Sequence, residues 1–341
     1  MLLCTKGLHK GPERNVRGAQ QHAVCRWLAP VWVAWGLCSA TAGRADVLGW
    51  CADPPVLTAA QQDRLFRLGA LIKNELEASG QNMALVSRSG LDLSRFDTRY
   101  SHTGISLKAS QNANFRAPWS VRQLYFSCDE RKPKLYDQGL SGFLLGAHDP
   151  TVSYVSVVLL PAEAGQAVAQ AALDSPAALQ VLGSTYSANA YPFSTLYQNC
   201  NQWVMELLAS AWSTAPPAPA AASNAANTAP ENATEPRASA QRWLRDRGYL
   251  PSRFNVSLPM MWLATLMPWV HSDDHPPEDL AQHRYQVSMP ASIERFVQTH
   301  IPEATRVEFC LANNRVVVHA GWDLVADGCL PGPQDRSITL D

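Results

Sequence analysis

The amino-acid sequence predicts an α+β fold: an antiparallel sheet packed on a cysteine-bearing helix, followed by a C-terminal α+β extension. Three observations predict it. Ser101–Leu107 and Trp119–Phe126 have strand-like patterning and flank a turn rich in Asn, Ser and Gln, which is the signature of an antiparallel pair. Asn199–Trp212 reads as a buried helix with Cys200 in its first turn. With 341 residues, 46% hydrophobic and 17% charged, the chain has the apolar mass for a substantial core.

The N-terminus predicts export. Met1–Arg26 carries Lys6, Lys10, Arg14, Arg17 and Arg26 against one acid, Glu13. The apolar run Trp27–Cys38 follows, then the small residues Ser39–Gly43 with an Ala40-Thr41-Ala42 pattern. Positive, apolar, small is the order of a secretory signal peptide, and the apolar run is shorter than the ~20 residues a membrane-spanning helix needs. We therefore expect a signal peptide over 1–45, cut near Ala42 or Ala45, an exported and periplasmic mature protein, and no membrane span in the mature chain.

Thr58–Ser79 reads as an amphipathic helix with Leu65, Leu68, Leu71, Ile72 and Leu76 at helical spacing and Thr58 as N-cap. Met83–Ser87 is a short strand, and Val152–Leu160, stopped by Pro161, is the strongest strand of the chain. Glu163–Leu182 is helical in composition. Residues 213–239 form a Pro/Ala/Asn/Thr tract with almost no large apolar residue, which reads as a flexible linker between an α+β domain (46–212) and a C-terminal section (240–341). In that last section Ala240–Arg245 and Ser292–Thr299 are helical, Met260–Val270 is strongly apolar, and Arg306–Phe309 with Val316–His319 suggests a hairpin.

Charge and cysteine usage narrow the function. The formal net charge of −1 gives no basic field for nucleic acid or an anionic membrane. Of eight cysteines, Cys4, Cys25 and Cys38 leave with the signal, and the remaining five cannot all pair. Cys310 and Cys329 can bridge locally and Cys51 with Cys128 can form a second disulfide, which leaves Cys200 as the surplus thiol; the connectivity stays open. A cysteine at a helix N-terminus is stabilised as thiolate by the partial positive charge there. It still needs a base, and His102 at the start of its strand is the first candidate, with Gly104 permitting close approach of a neighbouring chain.

The motifs Ser101-His-Thr-Gly-Ile105 and Asn199-Cys-Asn-Gln-Trp-Val204 resemble the circularly permuted branch of the NlpC-type, papain-like hydrolases, in which the histidine strand precedes the cysteine helix. More closely, the chain is similar to a bacterial family catalogued as domain of unknown function 2145. That likeness rests on Tyr100–Ile105, Tyr136-Asp-Gln-Gly-Leu140, Ala188-Asn-Ala-Tyr-Pro-Phe193, Gln198–Trp203, Asp274-His-Pro276 and Met289-Pro-Ala-Ser-Ile293. The papain-like resemblance implies a permuted papain-like sheet over 46–212. It also implies attack by the Cys200 thiolate on an amide, ester or thioester carbonyl, His102 as base and then acid, and an orienting residue on the next strand. Gln123 is the polar candidate there, with Tyr125 along the same face and Asp137 or Asp129 as substitutes. Gln198, with Tyr197 beside it, is a candidate for an oxyanion hole or cleft, as is a backbone N–H near Cys200.

Three other readings stand beside this one. His319 lies 119 residues after Cys200, near the ~130-residue interval of unpermuted papain-like proteases, with Asp323 to orient it. His271-Ser-Asp-Asp-His275 has metal-like spacing, but Pro276 and Pro277 argue for an acidic turn, and no metal or cofactor is expected. The expected partner is a peptide, peptidoglycan or acylated envelope substrate. The alternative to an enzyme is a non-catalytic periplasmic binding module on a papain-like scaffold, with Trp119, Trp203 and Trp262 supplying contact area.

Overall fold

Thr58 begins the first helix through local chemistry alone. Its Oγ1 accepts the N–H of Gln61, and the Gln61 side chain accepts the N–H of Thr58 in return, a capping box that satisfies two orphan donors. The computed structural model describes residues 57–108, 119–146, 151–214 and 235–340. The predicted signal peptide, Cys51, the turn after residue 108 and most of the predicted linker lie outside the described residues.

The elements, in order, are α1 (Ala59–Ala78), β1 (Met83–Arg88), β2 (His102–Lys108), β3 (Trp119–Ser127), β4 (Lys132–Gly139), α2 (Leu140–Leu145) and β5 (Val152–Leu159). Then come α3 (Ala162–Leu173), α4 (Ser175–Gln180), α5 (Cys200–Thr214), α6 (Pro236–Asp246), β6 (Ser252–Asn255), α7 (Leu258–Ala264) and α8 (Pro277–Ala281). The last are β7 (Arg284–Val287), α9 (Pro290–His300), β8 (Thr305–Ala312), β9 (Arg315–Ala320) and β10 (Arg336–Thr339).

The architecture is mixed α+β, with an antiparallel sheet packed against helices. Eight strands run in the order β10-β9-β8-β5-β1-β2-β3-β4, and β6 with β7 forms a separate two-stranded ribbon. The expected pairing of the two strands after Ser101 is present, with Ile105 opposite Arg122 and Leu107 opposite Ser120. The C-terminal section is continuous with the sheet: β8 pairs with β5 along its whole length, from Val152 opposite Ala312 to Leu159 opposite Thr305. The single helix expected over 163–182 is two, because Asp174 caps a new helix whose second residue is Pro176. Both ends of the predicted linker are helical: Ser213 and Thr214 belong to α5, and Pro236–Ser239 open α6.

Two apolar layers flank the sheet. On one face Leu85, Ile105, Leu107 and Leu124 pack against Trp203, Val204 and Leu207 of α5. On the other, Val86, Val121 and Val157 pack against Leu68 and Ile72 of α1 and Phe143 of α2. Glu206, fully buried on α5, accepts from Arg237 Nε (2.8 Å), Gln241 Nε2 (2.7 Å) and Gln202 Nε2 (3.0 Å), so one carboxylate pins α6 to α5. Cys310 and Cys329 are joined by a disulfide, as their local spacing allowed. Among the described residues, no helix is long and apolar enough to cross a membrane.

Candidate functional site

Helix α5 starts where β3 parts from β2. The ladder between those strands runs only from Lys108 to Ile105, so the backbone of residues 101–103 has no partner from β3. Asn201 supplies it: its Oδ1 accepts the Thr103 N–H at 2.9 Å and its Nδ2 donates to the Ser101 carbonyl at 3.1 Å. Asn199 caps the helix by accepting the Gln202 N–H at 2.7 Å. Cys200, between these two anchors, is held at the first position of the helix and buried. Burial pushes its thiol up to about 12, against the opposing pull of the N–H groups of Asn201 and Cys200 and the guanidinium of Arg88.

His102 is also buried, and burial, reinforced by Arg88, lowers its imidazole to about 3. Its Nε2–H donates to Gln123 Oε1 at 2.6 Å, so the expected histidine and orienting residue are together. Gly104 is required beside them: a Cβ there would lie 2.4 Å from Val121 Cγ1. Strand alternation decides which way this pair points. Thr103, Ile105 and Leu107 face α5, and the Thr103 hydroxyl meets Ser87 Oγ at 2.8 Å. His102 and Gly104 therefore face the α1–α2 side, where the imidazole packs on Tyr125 (4.9 Å) and Phe143 (5.9 Å). Cys200 belongs to the α5-side cluster with Tyr186. Among the described residues no hydrogen bond joins the Cys200 thiol and the His102 imidazole.

What Cys200 does face is an apolar pocket of about 250 Å³. Its cover is α7 and the turn after it, with Met260, Met261, Ala264 and Met267 lining the cavity, and Met289 joins them from the start of α9. Tyr186 stands beside the thiol, and its hydroxyl is driven well above its ordinary range by burial and then by the thiolate it would face. Arg95 is exposed at the rim, its guanidinium 4.8 Å over the Phe96 ring. It is the one charged side chain among the described residues lining the pocket.

The other expected site residues have different occupations. His319 sits on β9, four strand spacings from β2 in the sheet order, roughly 19 Å at ~4.8 Å per strand. Its Nδ1 pairs with Asp335 Oδ1 at 2.6 Å rather than with Asp323, whose carbonyl accepts from Arg306. Gln198 is fully buried and committed: its Oε1 accepts Gly183 N–H (2.7 Å) and its Nε2 donates to Val181 O (2.8 Å) and Glu206 (2.6 Å), leaving nothing for an oxyanion. Tyr197 stacks on His271 at 4.2 Å and donates to Asp273 at 3.1 Å. His275 Nε2 donates to the Asn189 carbonyl at 2.8 Å. Asp137 pairs with Arg122 at 3.0 Å, and Asp129 is exposed. Cys128 is disulfide-bonded, while its expected partner Cys51 lies outside the described residues. Trp119 and Trp203 are core residues, so of the three tryptophans expected to offer contact area only Trp262, 70% exposed, does so.

Sequence reasoning missed Arg88, Tyr186, Arg95, Asp335 and the methionine cover. The methionines left a signal, since 258–270 holds three of them in a stretch without charge. Nothing local marked Arg88, whose guanidinium donates to Tyr125 Oη at 2.5 Å and also to the Gly146 carbonyl.

A family model described as "Uncharacterized protein conserved in bacteria (DUF2145)" matches residues 75–297, which include His102, Gln123, Cys200 and the methionine cover. No curated protein and no solved structure matches the chain.

Proposed function

The chain belongs to the DUF2145 family of uncharacterized bacterial proteins, and we propose that it is an exported binding module of the cell envelope whose ligand enters the apolar pocket over Cys200. The observation that carries this reading is the lining: one thiol, four methionines and a single rim arginine, with no histidine or carboxylate among the described lining residues. Unbranched methionine side chains adapt to the shape of what they hold, which suits reversible capture of an apolar segment. A cavity of about 250 Å³ is on the scale of a short apolar segment. Calorimetric titration of the mature protein with decanol tests it. Saturable binding that disappears when Cys200 is alkylated supports the module; no heat, or heat indifferent to alkylation, removes it.

A second reading keeps the cysteine chemistry. The N–H groups of Cys200 and Asn201 favour negative charge on the sulfur, and the Nδ1 of His102 carries no hydrogen bond among the described residues. A hydrolase or acyltransferase with His102 as base would alkylate quickly well below pH 8 and slow markedly in His102→Ala. Slow labelling that ignores His102 favours the binding module.

A further inference from the structure

We infer that the ligand of the Cys200 pocket is a single aliphatic chain ending in a carboxylate, its tail among the methionines and its anion on Arg95. This rests on the binding reading and adds the chemical class of what is bound.

From Phe254 to Val270 the chain carries no acidic or basic residue, and this stretch supplies Phe254, Val256, Met260, Met261, Ala264, Met267 and Val270 to the pocket. Against this stretch a ligand is held by apolar contact, worth about 0.8 kcal/mol per methylene removed from water. The one charged side chain among the described lining residues is Arg95. It is exposed, has no acidic partner among the described residues, and is held over Phe96, whose ring packs edge-on against Phe254 at 5.3 Å. Its guanidinium is thus seated on a ring of the pocket wall, with its N–H edge unclaimed by any carboxylate among the described residues. A planar guanidinium so placed is suited to bidentate capture of a carboxylate. No carboxylate among the lining residues competes for it.

The cover is apolar on its outer side as well. On its outer side Leu258, Trp262 and Leu266 are 61%, 70% and 62% exposed, directly behind the residues that line the cavity. A chain delivered from a lipid surface or taken free from solution would present the same chemistry to the pocket.

The test compares decanoate, decanol and decyltrimethylammonium by calorimetry on the mature protein, each below its micelle concentration, for the native chain, Arg95→Gln and Arg95→Lys. We expect decanoate to bind about tenfold more tightly than decanol, and the cation most weakly. Arg95→Gln should remove the tenfold advantage and leave decanol unchanged, while Arg95→Lys should keep part of it. Equal affinity for decanoate and decanol, or decanoate binding unaffected by Arg95→Gln, overturns the inference and leaves the binding module standing. Failure of all three to bind overturns the module itself. Arg95 is exposed, so its variants retain the fold. Co-sedimentation with phosphatidylglycerol vesicles, repeated with Arg95→Gln, distinguishes lipid-borne from free chains as the source.

Discussion

Asn201 Oδ1 accepts the backbone N–H of Thr103 at 2.9 Å, while the same side chain donates to the Ser101 carbonyl at 3.1 Å. One amide therefore replaces the ladder that β3 abandons, and it fixes Cys200 against the open end of the sheet. Leaving these backbone groups unpaired in a buried setting costs about 1–3 kcal/mol. Asn201→Ala should lower stability by that amount in urea denaturation, and should also speed alkylation of Cys200 by loosening the helix start.

The thiol is predicted to be slow. With Cys200 pushed up to about 12, its thiolate fraction near neutral pH lies far below that of a free cysteine. Labelling with iodoacetamide should rise steadily with pH to beyond pH 10 and should be unchanged in His102→Ala. A plateau near pH 7 would place a base beside the sulfur.

His102 makes stability depend on acid. Its folded pKa of about 3 lies below the ~6.5 of an unfolded histidine, so between these values the unfolded chain binds a proton that the folded chain refuses. Stability should therefore fall as pH drops through that window, by about 1.4 kcal/mol per unit. Going from pH 7 to pH 5, the native chain should lose about 2 kcal/mol more than His102→Gln, measured by urea denaturation at each pH.

Glu206 is buried with Arg237 against it, and burial still holds its carboxyl above the usual range. Removing the cation strands that group. Arg237→Met should cost about 3–5 kcal/mol, and the loss should shrink in the double variant with Glu206→Gln. Equal losses in the single and double variants would mean that Arg237 acts through packing alone.

Local features were readable from sequence because their causes are local. The Thr58 cap, the β2–β3 pairing and the Cys310–Cys329 disulfide each depend on residues close along the chain. The partnership of His102 with Gln123 was also legible, since both sit on the same face of neighbouring strands. Which face α5 would cover was not. Alternation separates His102 from Ile105 and Leu107, but only the packing of Trp203 and Leu207 on the isoleucine side decides that the cysteine lies with them. The joining of β8 to β5, like the pairing of His319 with Asp335, is set by contacts between distant parts of the sequence or by loop return. The apolar run at 260–270 was visible, but its place over Cys200 depends on that same tertiary arrangement.

The most direct measurement is the rate of Cys200 alkylation by iodoacetamide as decanol is added, in the native protein and in Ala264→Phe, whose ring would fill the pocket from α7. Saturable protection in the native chain, with slow, decanol-independent labelling in Ala264→Phe, is the predicted result. Labelling of the native thiol that is indifferent to decanol at every concentration would contradict the assignment of this pocket as the binding site.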